Sequence, residues 1–142
     1  MRVCVIESPY KAETVFELER NLAYVRALGR HVLLRGDTIA ASHLDITQCL
    51  DDRDLGERRL GIKAGLARLR VADVHAFGLD LGISDGMRDA IELAKNGPLP
   101  VEEIRLPEWS AAFQNNDIAG MRRLIEMYRP RWLPHLRQPT VC

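Results

Sequence analysis

Four short apolar runs alternate with four helical stripes along the chain. The first run, residues 2–6 (RVCVI), is rich in β-branched side chains and ends at a proline-containing turn, which predicts a buried strand. The helical stripes are apolar positions three, four or seven residues apart, as in Val15, Leu18, Leu22, Val25 and Val32. Together the patterns predict strands near 2–6, 38–41, 71–77 and 101–106, and helices near 11–35, 55–70, 87–95 and 118–128.

The order β-α-β-α-β-α-β-α predicts an α/β fold, a small parallel sheet covered by helices on both faces. At 142 residues the chain has the length of one domain. We place this domain at residues 1–129 and a proline-rich tail at 130–142. Ligands of such sheets bind beyond the carboxyl ends of the strands. Three loops end there, at 7–11, 42–54 and 80–87, and we expect the functional residues among them.

Composition and charge narrow the possible partners. Twenty basic and twenty acidic residues give a formal charge of zero, so neither nucleic acid nor an anionic membrane is expected as a partner. No apolar run approaches the roughly 20 residues that cross a bilayer, and we predict a cytoplasmic location. The three cysteines, Cys4, Cys49 and Cys142, fit neither a disulfide framework nor a zinc site. We predict no metal and no cofactor.

The strongest local pattern is residues 82–87 (GISDGM), a glycine-containing turn that leads into the third predicted helix. The first amides of a helix lack internal acceptors and lie at the positive end of its dipole, so the turn predicts an anion-binding site. Ser84 adds a hydroxyl there, beside Asp85, Gly86 and Met87. The alternative interpretation is that Ser84 or Asp85 only caps the helix, as side chains do at many helix starts.

Two other loops carry candidate ligand contacts. After the first strand, Ser8 offers a hydroxyl and Tyr10 a ring for a base or sugar, with Pro9 between them. In the alternative interpretation, Pro9 only turns the chain and Tyr10 packs on the first helix. His43 follows the second strand, where it either donates to a phosphate or transfers a proton, or bonds only to backbone.

Mixed charges run from Asp51 to Arg59, a pattern that usually marks a solvated surface. The alternative interpretation is a loop that binds a metal or closes over a substrate. Within this run Arg58, or its neighbour Arg59, is the candidate for a bidentate phosphate contact, because a guanidinium matches the geometry of phosphate oxygens. The other histidines give less indication of function: His31, His75 and His135.

Four stretches resemble the nucleoside 2-deoxyribosyltransferase-like superfamily, and more closely a group of short uncharacterised proteins common in phages and prophages. These stretches are residues 3–10 (VCVIESPY), 41–48 (ASHLDITQ), 52–62 (DRDLGERRLGI) and 72–87 (ADVHAFGLDLGISDGM). They follow the family's order and span about residues 2–106. The resemblance implies a flavodoxin-like (Rossmann-like) sheet, a nucleoside or nucleotide ligand and a homodimer.

The catalytic carboxylates of that superfamily are missing from this sequence. In its enzymes, a glutamate six residues after the serine of the Ser-x-Gly loop cleaves the glycosidic bond, assisted by an aspartate on the preceding helix. This chain has Ala90 six residues after Ser84, and the aspartate position falls near Gly65. Asp89 and Glu92 flank Ala90, but rotations of about 100° and 200° around the helix are expected to keep both out of the cleft. The anion-binding turn needs no carboxylate, so the pattern favours binding over catalysis.

The sequence therefore predicts nucleotide or nucleoside-phosphate binding. One alternative is an enzyme that hydrolyses or transfers at the N-glycosidic bond of (deoxy)nucleotides, with Glu7, Asp80 or Asp85 replacing the missing glutamate. Another is a non-catalytic interaction protein whose contact surface lies around Trp109 and Trp132. These alternatives differ in whether a carboxylate reaches the ligand and in where the two tryptophans lie.

Overall fold

A four-stranded parallel sheet forms the centre of the computed structural model, which describes residues 1–131. The strands, in the spatial order β2-β1-β3-β4, are β1 (Val3–Glu7), β2 (Thr38–Ala40), β3 (Val74–Gly78) and β4 (Val101–Ile104). Val5 of β1 lies opposite Ala40 on one side and His75 on the other. This strand order is that of flavodoxin-like folds, so the predicted α/β class is confirmed.

Six α-helices and one short 3-10 turn (Ser42–Leu44) accompany the sheet in the described part of the chain. The helices are α1 (Val15–Leu34), α2 (Ile46–Cys49), α3 (Leu55–Arg68), α4 (Asp85–Lys95), α5 (Pro107–Gln114) and α6 (Ile118–Met127). The Thr14 side chain accepts a hydrogen bond from the amide of Glu17, so α1 begins at residue 15 rather than at Lys11. It ends before Gly36, whose φ of +97° favours glycine and stops the helix as predicted. Within residues 1–131, no helix combines the length and apolar character needed to cross a membrane.

Strand alternation divides the sheet into two chemically different faces. The face toward α1, α5 and α6 contributes apolar side chains to the core: Cys4, Ile6, Val74, Ala76 and Ile104. The opposite face carries a mixed set on its two central strands: Val5, Glu7, His75 and Phe77. The helices on the first face therefore pack against apolar side chains, whereas those on the second face meet polar side chains as well.

The face toward α1 is closely packed. α1 buries eight of its residues, and an added Cβ at Gly78 would lie 2.7 Å from Tyr24 Oη, so only glycine lets α1 approach β3 this closely. Trp109 of α5 is 1% exposed, and its ring centroid lies 5.2 Å from that of Tyr24. The prediction of a contact surface around Trp109 is therefore wrong, because the ring belongs to the core; Trp132 lies outside the described residues. α5 itself was not predicted.

The opposite face is only partly covered. α4 packs on β3 and buries Met87 and Ala94, whereas α3 buries none of its residues. α3 approaches the 3-10 turn and α2 through two glycines. An added Cβ would lie 3.2 Å from Ser42 Oγ at Gly65 and 3.3 Å from an Ile46 methyl at Gly61. A cleft therefore remains between α3, α4 and the sheet.

Candidate functional site

The cleft has a volume of about 960 Å³ and lies at the carboxyl ends of β1 and β3. All three loops predicted to carry function contribute to its lining, from Ser8 and Tyr10 through His43 to residues 84–87. In flavodoxin-like sheets the gap between β1 and β3 is where ligands bind, because the connections leave these strands toward opposite faces. The volume suits a small organic molecule.

The amino end of α4 opens into this cleft. Ser84 caps the helix, since its hydroxyl accepts from the amide of Met87 at 3.3 Å, whereas the first-turn amides of Asp85 and Gly86 have no intrahelical acceptor. A Cβ at Gly86 would meet nothing within 4 Å, so there is space beside the turn. The Asp85 carboxylate is fully exposed and lies 3.6 Å from Arg88. Capping and anion binding are thus compatible here: Ser84 caps, and two amides remain for a ligand.

Ser8 lines the cleft and carries a buried hydroxyl. The residue is 2% exposed, and its Oγ has no hydrogen-bond partner within residues 1–131. A buried polar group without a partner costs roughly 1–3 kcal/mol, so a ligand that pairs with Ser8 regains that energy. Pro9, in contrast, is buried and does not line the cleft, so it contributes the turn rather than a contact.

Tyr10 and His43 form a stacked pair at the cleft, with ring centroids 4.8 Å apart and an interplanar angle of 15°. His43 Nε2 lies 2.9 Å from the carbonyl oxygen of Ser8. A carbonyl only accepts, so Nε2 carries the hydrogen and Nδ1 of the neutral ring is an acceptor. Burial lowers the pKa of His43, which favours the neutral ring. Neutral His43 thus has no free hydrogen for the phosphate contact suggested by the sequence.

Glu7 and His75 form a second pair, on the sheet face beneath the cleft. His75 Nε2 lies 3.1 Å from a Glu7 carboxylate oxygen; the imidazole is 2% exposed and the carboxylate 30%. Glu7 was a sequence candidate, but His75 was missed. The alternation of side chains along β3 could have identified it, because His75 and Phe77 lie on the same face of the strand, opposite Val74 and Ala76. A histidine and a carboxylate on one face of adjacent central strands indicate a site.

Asp80 lies outside the cleft. It is 3% exposed, and its carboxylate accepts hydrogen bonds from Tyr24 Oη at 2.5 Å, from the amide of Leu106 at 3.0 Å and from the Ser110 hydroxyl. These three donors come from α1, the segment after β4, and α5. The structure therefore does not bring Asp80 together with the other catalytic candidates, Glu7 and Asp85; its carboxylate ties the loop before α4 to the core.

The remaining positions that the sequence singled out lie on α3 and α4, the two helices that form the walls of the cleft. Arg58 of α3 lines the cleft and Arg59 does not, which distinguishes the two arginines that the sequence left open. Ala90, which stands where the resemblance puts the catalytic glutamate, lines the cleft. Asp89 also lines it, contrary to expectation, because the opening extends over an exposed side of α4; Glu92 does not.

The lining includes further charged side chains: Asp52 and Glu57 of the mixed-charge run, and Arg20, which the sequence did not indicate. In residues 1–131, no group of three or more histidine, cysteine, aspartate or glutamate side chains is arranged to hold a metal ion.

A family model described as a domain of unknown function, DUF7768, matches residues 2–104. The chain belongs to the DUF7768 family. The matched residues run from the start of β1 to the end of β4, so they include the sheet and all three loops of the cleft. No curated protein matches the chain.

Among solved structures, this DUF7768 protein is similar to a 2-deoxyribosyltransferase from the psychrotolerant bacterium Bacillus psychrosaccharolyticus. The sequence identity is 16%, and the match covers 84% of this chain and 95% of the other, with a TM-score of 0.48.

Proposed function

We propose that the cleft binds a nucleotide or nucleoside phosphate. One observation carries the proposal: Asp85 and Gly86, with free amides at the start of α4, and Ser8, with a buried unpaired hydroxyl, line the same cleft of about 960 Å³. The amides of Asp85 and Gly86 suit phosphate oxygens, which are negatively charged acceptors. A buried hydroxyl without a partner indicates that a ligand completes the site.

Two side chains extend the proposed site beyond the phosphate. Arg58 stands on the α3 wall, where its guanidinium can approach phosphate oxygens from the side opposite α4. Tyr10 supplies an aromatic surface for a base, and the stack with His43 fixes the plane of its ring. The ligand would therefore lie with its phosphate between α4 and α3 and its base near the end of β1.

Thermal shift tests the proposal directly. The probes are nucleosides, nucleoside mono-, di- and triphosphates, cyclic nucleotides, NAD and ADP-ribose, each at millimolar concentration. A ligand at one hundred times its Kd should stabilise the protein by about 2.7 kcal/mol, so phosphorylated probes should raise Tm more than the matching nucleosides do. Absence of stabilisation by any phosphorylated probe would contradict the proposal.

Two adjacent arginines provide the matched control. Arg58→Gln should weaken binding of the best phosphorylated probe about tenfold, because a charge-assisted contact is lost. Arg59→Gln removes the same charge one residue away, outside the cleft lining, and should leave the Kd within about twofold. Equal effects of the two substitutions would show that Arg58 makes no direct contact.

A second candidate function is hydrolysis at the N-glycosidic bond, and the position of Glu7 favours it. This carboxylate faces the cleft and is held by His75 at 3.1 Å, as required of a group that activates water or attacks C1′. Water would add a hydroxyl to C1′ while the base leaves with a proton. Glu7→Gln keeps an acceptor for His75 but removes the charge, so base release should fall at least about a hundredfold.

Asp85→Asn is the control for this candidate, because the exposed Asp85 carboxylate also borders the cleft. Chromatography of nucleoside monophosphates and their 2′-deoxy counterparts after incubation measures the free base. If the wild-type protein releases no base, or Glu7→Gln releases as much as wild type, the cleft binds without cleaving by this carboxylate.

The proposal also includes the domain, its oligomeric state and its cellular location. We propose a single domain at residues 1–129 that forms a homodimer in the cytoplasm and takes no metal or cofactor. Kinship with the phage and prophage group also stays a prediction. The mass in solution, measured with and without residues 130–142, tests the dimer and any part that the tail has in it.

A further inference from the structure

Two buried side-chain atoms within residues 1–131 have no hydrogen-bond partner, Ser8 Oγ and His43 Nδ1. Both residues line the cleft, and a hydrogen bond of 2.9 Å from His43 Nε2 to the Ser8 carbonyl oxygen joins them. The loop after β1 and the 3-10 turn after β2 thus meet at one corner. Unpaired buried polar atoms are rare in folded proteins, and two at one corner indicate a bound group with polar atoms of its own.

The corner is rich in hydrogen-bond acceptors. His43 Nδ1 is an acceptor because Nε2 carries the hydrogen of the neutral ring. Glu7, which directly precedes Ser8, contributes a carboxylate; one of its oxygens is paired with His75, and the other has no hydrogen-bond partner in the described chain. Ser8 Oγ both donates and accepts. Such a corner repels an anion and binds a neutral group with several O–H or N–H donors.

Vicinal hydroxyls satisfy this corner better than the edge of a base. A base edge offers N–H donors, with two adjacent donor groups only in guanine (N1–H and the 2-amino group), whereas the 2′- and 3′-hydroxyls of ribose offer two adjacent groups that both donate and accept, as Ser8 Oγ does. Acidic side chains at strand ends bind ribose hydroxyls in dinucleotide-binding folds for this reason. The acceptor corner is formed by the segments after β1 and β2 and the free amides by the start of α4, so different elements would hold the sugar and the anionic end of the ligand.

We infer that Glu7, Ser8 and His43 bind the vicinal hydroxyls of ribose, so that the cleft selects ribonucleotides over 2′-deoxyribonucleotides. The inference rests on the proposed nucleotide binding and adds its sugar specificity. His43 then contacts the sugar rather than the phosphate, and the unpaired Ser8 hydroxyl forms its hydrogen bond with the ligand.

Isothermal titration of matched nucleotide pairs tests this inference. The probes are the monophosphates of adenosine, guanosine, cytidine and uridine and their 2′-deoxy counterparts. Wild type should bind the best ribonucleotide at least tenfold more tightly than its 2′-deoxy form, because the missing hydroxyl leaves buried acceptors unpaired. His43→Phe keeps a ring on Tyr10 but removes the acceptor, and should reduce this ratio to below threefold mainly by weakening the ribonucleotide.

Ser8→Ala keeps the test valid if the His43 variant does not fold. It removes a hydroxyl that has no partner, so the urea midpoint should not fall, while the ratio drops as in His43→Phe. His31→Phe, an exposed change on α1, should leave the ratio unchanged. Equal affinity for both sugars in wild type would overturn the inference and leave nucleotide binding intact. Failure of every nucleotide to bind would overturn both.

Discussion

The two faces of the sheet are built for different tasks. Against one face, α1 alone buries eight residues and Trp109 closes the core; against the other, α3 buries none and leaves a cleft. Hydrophobic burial stabilises a fold in proportion to the area removed from water, so the first face supplies most of the stability. The polar pair Glu7 and His75 lies on the second face, where an apolar pair would pack better. Stability and ligand binding are therefore separable by substitution.

The largest expected difference comes from the same substitution on the two faces. Leu28→Ala removes a fully buried side chain of α1 and should lower the free energy of unfolding by about 2–5 kcal/mol. Leu60→Ala removes a side chain of α3 that is 56% exposed, and should change the free energy of unfolding by no more than about 0.5 kcal/mol. Urea denaturation measures both. Similar losses for the two variants would mean that α3 is covered in solution.

The next difference separates two carboxylates. Asp80→Ala leaves Tyr24, Ser110 and the Leu106 amide without their acceptor, and should cost about 3 kcal/mol or more. Glu7→Ala should cost no more than about 1 kcal/mol, because the cleft admits water to His75. Urea denaturation measures the loss of stability, and titration of the folded variant with ligand measures binding. Together they distinguish a structural role for Asp80 from a role of Glu7 in the site. A stable Asp80→Ala protein that has lost its ligand would instead place Asp80 in the site.

The smallest expected effect is a pH dependence of stability that arises at the cleft. Burial lowers the pKa of His43 below its ordinary 6.5, although the nearby Glu7 and Asp52 carboxylates oppose this. The unfolded chain therefore takes up a proton first as the pH falls. The stability that neutral His43 contributes is fully present above pH 6.5, declines as the pH falls through the folded-state pKa of His43, and is constant below that pKa. The slope of the free energy of unfolding is at most about 1.4 kcal/mol per pH unit.

His43→Phe lacks this titration, so the difference in unfolding free energy between wild type and variant should change as the pH falls below 6.5. Urea midpoints at half-unit pH steps measure it. A difference that stays constant over this range would show that His43 titrates alike in the folded and unfolded chains.

The sequence predicts the sheet well because its strands and helices follow regular periods. The apolar stripe of α1 and the β-branched run of β1 are set by local spacing, and the convergence of three loops follows from parallel strand order. α5 was missed because its eight residues are too few for a clear helical period, and Trp109 looked exposed without it.

The site is less predictable because its contacts join residues far apart in the chain. Ser8, Ser84 and Gly86 were found from loop position, but the stack of Tyr10 on His43 and the unpaired Ser8 hydroxyl depend on how two loops meet. Asp80 sits in a candidate loop, yet its partners come from three other segments. His75 is the exception, since strand parity places it on one face with Phe77, although its pairing with Glu7 also depends on the order and register of β1 and β3.

The glycine pair Gly61 and Gly65 brings the α3 backbone against the 3-10 turn and α2 while its side chains stay outside the core. Substitutions elsewhere along α3 therefore reshape one wall of the cleft without disturbing the sheet. A library randomised at the cleft-lining positions of this helix other than Gly61 and Gly65 should yield folded proteins at high frequency, which makes α3 the place to alter ligand preference.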